Sequence, residues 1–165
     1  MKHLLTLAAF LVATGLQAQM VNSGADLYIS NGATLYVGMD FQNINSATLT
    51  NNGIFEVTGN LLNSSSATLT GNGEFKLMLN LTNQATMNLG GATVTFMGNT
   101  TSQLTSGGGT INTMKLNKTA ANVELMDDAG IQSLLEFLAN NNKLVLGEYD
   151  VTLASVSGAS DSRYI

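Results

Sequence analysis

Asp127-Asp128 and the pair Glu148 and Asp150 are the most closely spaced carboxylates in this sequence. Two or three carboxylates joined by backbone oxygens could hold Ca²⁺; the plainer reading is a solvated turn at each place. No Asp recurs in a glycine-rich nonapeptide, so a calcium-stacked roll is not indicated. Glu56 and Glu74, with Lys76 as the only nearby base, are the residues that could form the carboxylate pair of a polysaccharide-cleaving enzyme, or a base beside metal ligands. They fall at different places in the repeat described below, which reads as surface pairing. Past His3 there is no histidine, and cysteine is absent throughout. Ser-His-Asp and Cys-His catalysis and ordinary zinc sites therefore have no residues to use. Gly107-Gly108-Gly109 lacks the Lys-Ser/Thr of a P-loop and reads as a corner. What remains is a set of threonines. Thr48, Thr68 and Thr86 recur at one outward position, and Thr50 and Thr70 at another. Such an array could order water or ice, or contact glycans; it is also what high β-propensity looks like on a solvent face.

The element that must position these threonines is a repeat of about twenty residues. Residues 41–60 read FQNINSATLTNNGIFEVTGN, residues 61–80 LLNSSSATLTGNGEFKLMLN, and residues 81–99 LTNQATMNLGGATVTFMGN. Residues 21–40 are a degenerate copy upstream. A fixed period of this length is the signature of a stacked, quasi-one-dimensional fold. Within each block apolar and polar residues alternate, as in half-buried strands. The expectation is an all-β, parallel β-helix (β-solenoid) with about 20 residues and three short strands per coil. In a first column Leu27 and Ile29 align with Ala47 and Leu49, Ala67 and Leu69, Ala85 and Met87. In a second, Leu35 and Val37 align with Phe55 and Val57, Phe75 and Leu77, Val94 and Phe96. Phe41, Leu61 and Leu81 form a third. Glu56 and Lys76 share an outward column, where opposite charges help fix register.

Corners repeat as well. Asn43, Asn63 and Asn83 form one series, and Asp40, Asn60, Asn80 and Asn99 another. Asn31-Gly32, Asn52-Gly53 and Asn72-Gly73 mark a third. Asn and Gly suit left-handed corner conformations, and Asn amides can hydrogen-bond along a stack. An antiparallel meander could also use Asn-Gly turns, but it does not require whole blocks to recur with fixed columns. After residue 100 the columns blur. Ile131, Leu134, Leu135 and Leu138 fit a helical template, whereas the stacked context reads residues 130–139 as strands of another coil.

Composition bounds the setting. Charged residues make up only 10%, and the net charge of −5 argues against nucleic acid. Lys2 and His3, the apolar run Leu4 to Leu16 and Gln17-Ala18-Gln19 read as a secretory signal peptide over 1–19, leaving 20–165 as the repeat domain. Cleavage there removes Lys2 and leaves five basic against eleven acidic residues. No other run is long enough for a transmembrane helix. Without cysteine, an exported chain has no disulfide support, so the ladder of the fold must supply stability.

The stretch from Lys115 to Ile165 carries Asn117 to Thr119, Asn141 to Leu146, Gly147 to Leu153 and Gly158 to Ile165. It resembles a recurrent segment of large secreted surface proteins of Bacteroidota, in a region similar to right-handed parallel β-helices. Members of that group continue past this element and end in a C-terminal sorting domain for type IX secretion. The chain ends at Ile165 without one, so the resemblance implies a piece of a longer array. Taken together, the expected role is an exported, non-enzymatic structural or adhesive module, secreted or on the outer cell surface, with no cofactor or metal. A carbohydrate-binding or carbohydrate-active β-helix and an ice-ordering solenoid are the alternatives. Expected partners are glycans or cell-surface components, with self-association through an uncapped C-terminal coil.

Overall fold

The computed structural model describes residues 18–165; the signal-peptide reading falls almost wholly outside them. The chain winds as a β-solenoid of about seven turns, and every inter-strand pairing along it is parallel apart from one bridge near its end. The first coil holds β1 (Gln19–Ser23), β2 (Asp26–Ile29) and β3 (Thr34–Val37). The second holds β4 (Asp40–Ile44), β5 (Thr48–Asn51) and β6 (Ile54–Val57), and the third β7 (Leu61–Asn63), β8 (Thr68–Thr70) and β9 (Glu74–Leu77). In the next three coils the second and third strands fuse. They comprise β10 (Leu81–Asn83) with β11 (Thr86–Gly98), β12 (Ser102–Thr105) with β13 (Thr110–Lys118), and β14 (Val123–Leu125) with β15 (Ala129–Phe137). The last coil divides again into β16 (Leu144–Val145), β17 (Val151–Leu153) and β18 (Val156–Ser157). Three strands per coil is therefore correct at the two ends and not in the middle. There β11, β13 and β15 run across the former corner, with register shifts marking where it was. Residues 130–139 lie largely in strand β15 and are not helical; the helical spacing of Ile131, Leu134, Leu135 and Leu138 arises because that strand's alternation slips near Ser133.

Stacking puts like side chains in line, with coils about 4.8 Å apart. Leu35, Phe55, Phe75, Val94, Met114, Leu135 and Val156 form one unbroken column. Phe41, Leu61, Leu81, Leu104 and Leu125 form another. Inside, Phe55 meets Phe41 and Phe75 edge-on, with ring centres 4.9 and 6.0 Å apart. Edge-to-face aromatic pairs add a contribution beyond their burial.

A uniform offset of twenty misplaces one strand. Leu27 stacks on Leu49 and Ile29 on Asn51, an offset of 22, so Leu27 does not lie over Ala47. The first coil spends two residues at the corner between β1 and β2, where the second spends three between β4 and β5. It then spends four before β3, where the second spends two, which restores the offset to 20 at Thr34 and Ile54.

The corners are also built differently from the expectation. Asn43, Asn63 and Asn83 are buried strand residues. The left-handed conformations fall two residues later, at Asn45-Ser46 and Ser65-Ser66. Gly32 has φ +78°, as a left-handed corner demands, but Gly53 and Gly73 do not. They are glycines because a Cβ at Gly53 would strike the carbonyl of Ala33, and one at Gly73 the carbonyl of Gly53.

Candidate functional site: an outward threonine face and a buried polar spine

The five threonines come together as expected. Thr48, Thr68 and Thr86 are register partners on β5, β8 and β11, and Thr50 and Thr70 are partners on the first two of these strands. Leu49, Leu69 and Met87 between them point into the core, so alternation turns every threonine outward. The array is short. Asn88 follows Thr70 in its column, and Tyr28 precedes Thr50. Tyr28 is 63% exposed, and its phenol oxygen accepts a hydrogen bond from Asn52 Nδ2 at 3.1 Å. A held, protruding ring at one end and an exposed Asn at the other leave a small polar platform bounded by an aromatic wall. It is not a flat sheet of hydroxyls. Tyr28 escaped the sequence reading because an offset of twenty puts it beside Thr48; the corner lengths carry the signal that corrects this.

Behind that face runs a polar spine. Asn22 Nδ2 donates to Asn43 Oδ1 (2.9 Å), Asn43 Nδ2 to Asn63 Oδ1 (2.8 Å), and Asn63 Nδ2 to Asn83 Oδ1 (2.7 Å). Asn83 Nδ2 ends the run on the carbonyl of Ser106 (2.7 Å). Each of the inner amides also donates to a carbonyl of the following coil: Asn43 to Thr68 and Asn63 to Thr86. Those carbonyls belong to the threonines of the outer face, so the spine fixes the backbone that carries it. A second ladder links Asp40 Oδ1 to the amide of Asn60, Asn60 Oδ1 to that of Asn80, and Asn80 Oδ1 to that of Gln103. Gln103 takes the place expected for Asn99.

The acidic candidates are held by the backbone. The Asp127 carboxylate accepts from Ser106 N (2.7 Å) and Gly107 N (2.6 Å), capping the glycine corner of the coil before it. Asp128 Oδ1 accepts from Asp150 N at 2.9 Å. Among the described residues no three of His, Cys, Asp or Glu gather where a metal ion could sit. Glu56 and Lys76 are register partners, as the sequence suggests, and Glu74 lies opposite Ile54. The ion pair, however, runs from Lys76 to Glu74 on the same strand (3.7 Å), so it does not tie one coil to the next. Glu74 also accepts from Thr95 Oγ1 at 2.8 Å.

Lys118 is a group that alternation did not reveal. Its side chain is fully buried at the end of β13, and Nζ donates to the carbonyls of Met78 (3.1 Å), Met97 (2.8 Å) and Thr100 (2.6 Å). Burial lowers its pKa to about 8. The amine thus ties together three successive coils where the outer strands turn toward the next face.

Comparison with protein-family models, with curated proteins and with solved structures gives no match. Among the described residues no helix is long and apolar enough to cross a membrane.

Proposed function

We propose that the protein is an exported, non-enzymatic structural or adhesive module, working at the outer cell surface or outside the cell through the outer face of its stack. The observation that supports this best is where its polar groups go. Asp40, Asp127, Asp128 and Lys118 are engaged by backbone groups of neighbouring coils, and the asparagines by one another. Groups spent on holding coils in register are not poised as acid, base or nucleophile. The leader-like N-terminus and the surface-protein resemblance of residues 115–165 support the location.

Protease shaving of intact producing cells, followed by an attachment assay with beads carrying the purified protein, tests this. Loss of the protein on shaving and bead attachment to cells or matrix are expected. Release of oligosaccharides or unsaturated sugars from a polysaccharide panel would overturn the non-enzymatic reading.

A second reading, glycan binding, is favoured by Tyr28 standing at the end of the Thr50–Thr70 column with its hydroxyl held by Asn52. Aromatic rings beside hydroxyls and amides suit the mixed apolar and polar faces of a sugar. The same platform is too short and too interrupted to favour the ice-ordering alternative.

A further inference from the structure

Three corners carry the pair Asn-Gly: Asn31-Gly32, Asn52-Gly53 and Asn72-Gly73. This pair has a chemistry of its own. Glycine has no Cβ to shield its nitrogen, so that nitrogen can close on the side-chain carbonyl carbon of the asparagine before it. The reaction needs a free glycine amide and an asparagine with room to turn over it. The stack withholds both at two of the corners. Gly53 N donates to Asn51 Oδ1 (3.1 Å) and Gly73 N to Asn51 O (2.9 Å), and Asn51 is fully buried. Asn52 Oδ1 accepts from Asn72 N (3.1 Å), and Asn52 Nδ2 donates to Tyr28 (3.1 Å). The flanking backbone is tied as well: Asn52 N donates to Ile29 O (2.8 Å), Glu74 N to Gly53 O (2.8 Å) and Thr93 N to Gly73 O (3.0 Å). Asn31-Gly32 is built differently. Ala33 N donates to Ser30 O (3.0 Å), closing a turn whose third residue, Gly32, has φ +78°. Both residues at the tip of that turn are exposed. Among the described residues the Gly32 amide donates to no carbonyl. A Cβ at Gly32 would meet nothing within 4 Å, whereas at Gly53 or Gly73 it would strike backbone.

We propose that Asn31 is a site of self-modification by deamidation, and that the hydrogen bonds to Asn51 protect Asn52 and Asn72 from the same fate. This goes beyond the proposed function and does not depend on it. The Gly32 amide gives its proton to hydroxide, and its nitrogen attacks Asn31 Cγ. The N–Cγ bond forms, the Cγ–Nδ2 bond breaks, and ammonia leaves with a proton from water. A cyclic imide results. Water then adds to either imide carbonyl and opens the ring, giving aspartate or isoaspartate. In sum, amide plus water becomes carboxylate plus ammonium, with nothing oxidised or reduced. The product carries one more negative charge at the corner joining β2 and β3, the strands that bear the exposed rings of Tyr28 and Tyr36. Asn52, which holds the Tyr28 hydroxyl, stays an amide.

The test is incubation of the folded, purified protein in mildly alkaline water labelled with heavy oxygen, followed by proteolysis and mass spectrometry. Fragmentation that separates aspartate from isoaspartate assigns each product. Asn31 should convert at least about 10 times faster than Asn52 or Asn72, whose reaction waits on local opening of the stack; tenfold corresponds to about 1.4 kcal/mol of opening. Label should enter at Asn31, and both acid products should be found there. In denaturant the three sites should react alike, because each is the same dipeptide once the hydrogen bonds are gone. Asn31→Gln, a change at an exposed side chain, should remove the fast product and leave circular dichroism unchanged. Equal rates at the three sites in the folded protein overturn the proposal. So does an Asn31 that stays intact when folded while it reacts in denaturant. A rate difference that persists in denaturant assigns the effect to sequence neighbours and overturns the protective role of Asn51. A fast product that survives in Asn31→Gln places the reactive site elsewhere and overturns the assignment. The wild-type measurement decides the matter without any variant.

Discussion

Asn43 and Asn63 are fully buried one above the other, 20 residues apart, with the amide nitrogen of the first donating 2.8 Å to the amide oxygen of the second. The same two side chains donate to Thr68 and Thr86 carbonyls, so one spine orders both the interior and the strands of the threonine face. Asn63→Leu should therefore be costly in spite of its greater hydrophobicity. It removes three buried hydrogen bonds at once: the one Asn63 accepts from Asn43 and the two it donates to Asn83 Oδ1 and the Thr86 carbonyl. Each lost hydrogen bond costs about 1 kcal/mol, and more where the remaining partners cannot compensate. Denaturant unfolding should show a loss of several kcal/mol for this variant and about 1 kcal/mol or less for Asn60→Leu, whose side chain is only half-buried.

Phe75→Asp should be far more damaging than Thr68→Asp. Phe75 is 1% exposed and packs edge-on against Phe55, so a carboxylate there is an unpaired charge in the core. Thr68 points to solvent beside Thr48 and Thr86. Similar denaturation midpoints for the two variants would mean that the inside and outside faces are reversed.

Much of this fold was legible because the repeat constrains it twice, by alternation along each strand and by recurrence between coils. The column from Leu35 to Phe75 and the threonine pairs follow from those two rules alone. Corner lengths were not legible, since adding one residue at one corner and removing two at the next moves the offset only between 20 and 22, close to the average period. That is why Leu27 was misaligned and Tyr28 overlooked. The fusion of β11, β13 and β15 was hidden for a related reason: a corner that straightens keeps its residues and loses only its conformation. Lys118 could not be read as buried, because nothing in a sequence says that three carbonyls will converge on one amine.

Gly73→Ala should destabilise more than Gly108→Ala, although Gly108 is the one with a left-handed backbone, at φ +76°. A Cβ at Gly108 meets open space, so only conformational strain is added, about 1 kcal/mol. At Gly73 the added carbon would run into the Gly53 backbone of the preceding coil, and a stack held at one spacing cannot open locally without losing neighbouring ladder bonds. Thermal melts of the two variants check the order.

Lys118 should make stability depend on pH above neutrality. Its folded pKa, about 8, lies below its ordinary value of 10.5. Between these values the unfolded chain binds more protons than the folded one, so stability rises with pH across that window. The penalty for burying the charge is present in full below pH 8 and amounts to at most about 3 kcal/mol. The melting temperature should climb from pH 8 to pH 10 in the wild type. In Lys118→Met the climb should be reduced by this amount, while the variant loses stability at every pH because three carbonyls lose the amine that joins them. Parallel slopes in the two proteins would show that the amine is not shielded from water.

The outer face should be separable from the scaffold. Tyr28 is 63% exposed and touches the fold through one hydrogen bond from Asn52, so Tyr28→Ala should change the unfolding midpoint little. Thr50 and Thr70 are outward partners next to it, and Thr→Val at both preserves shape and strand propensity while removing only hydroxyls. If the proposed glycan reading is right, Tyr28→Ala should weaken binding by about tenfold, the effect of losing one stacked aromatic ring. The double valine variant should weaken it further, with circular dichroism and melting temperature unchanged. Thr86→Val, at the far end of the neighbouring column and furthest from the ring, should have the smallest effect. A gradient of this kind, read by titration against a panel of polysaccharides, locates the contact at the Tyr28 end. Uniform effects at all three positions, or none, would remove this platform as a binding surface and leave the stack as a purely structural element.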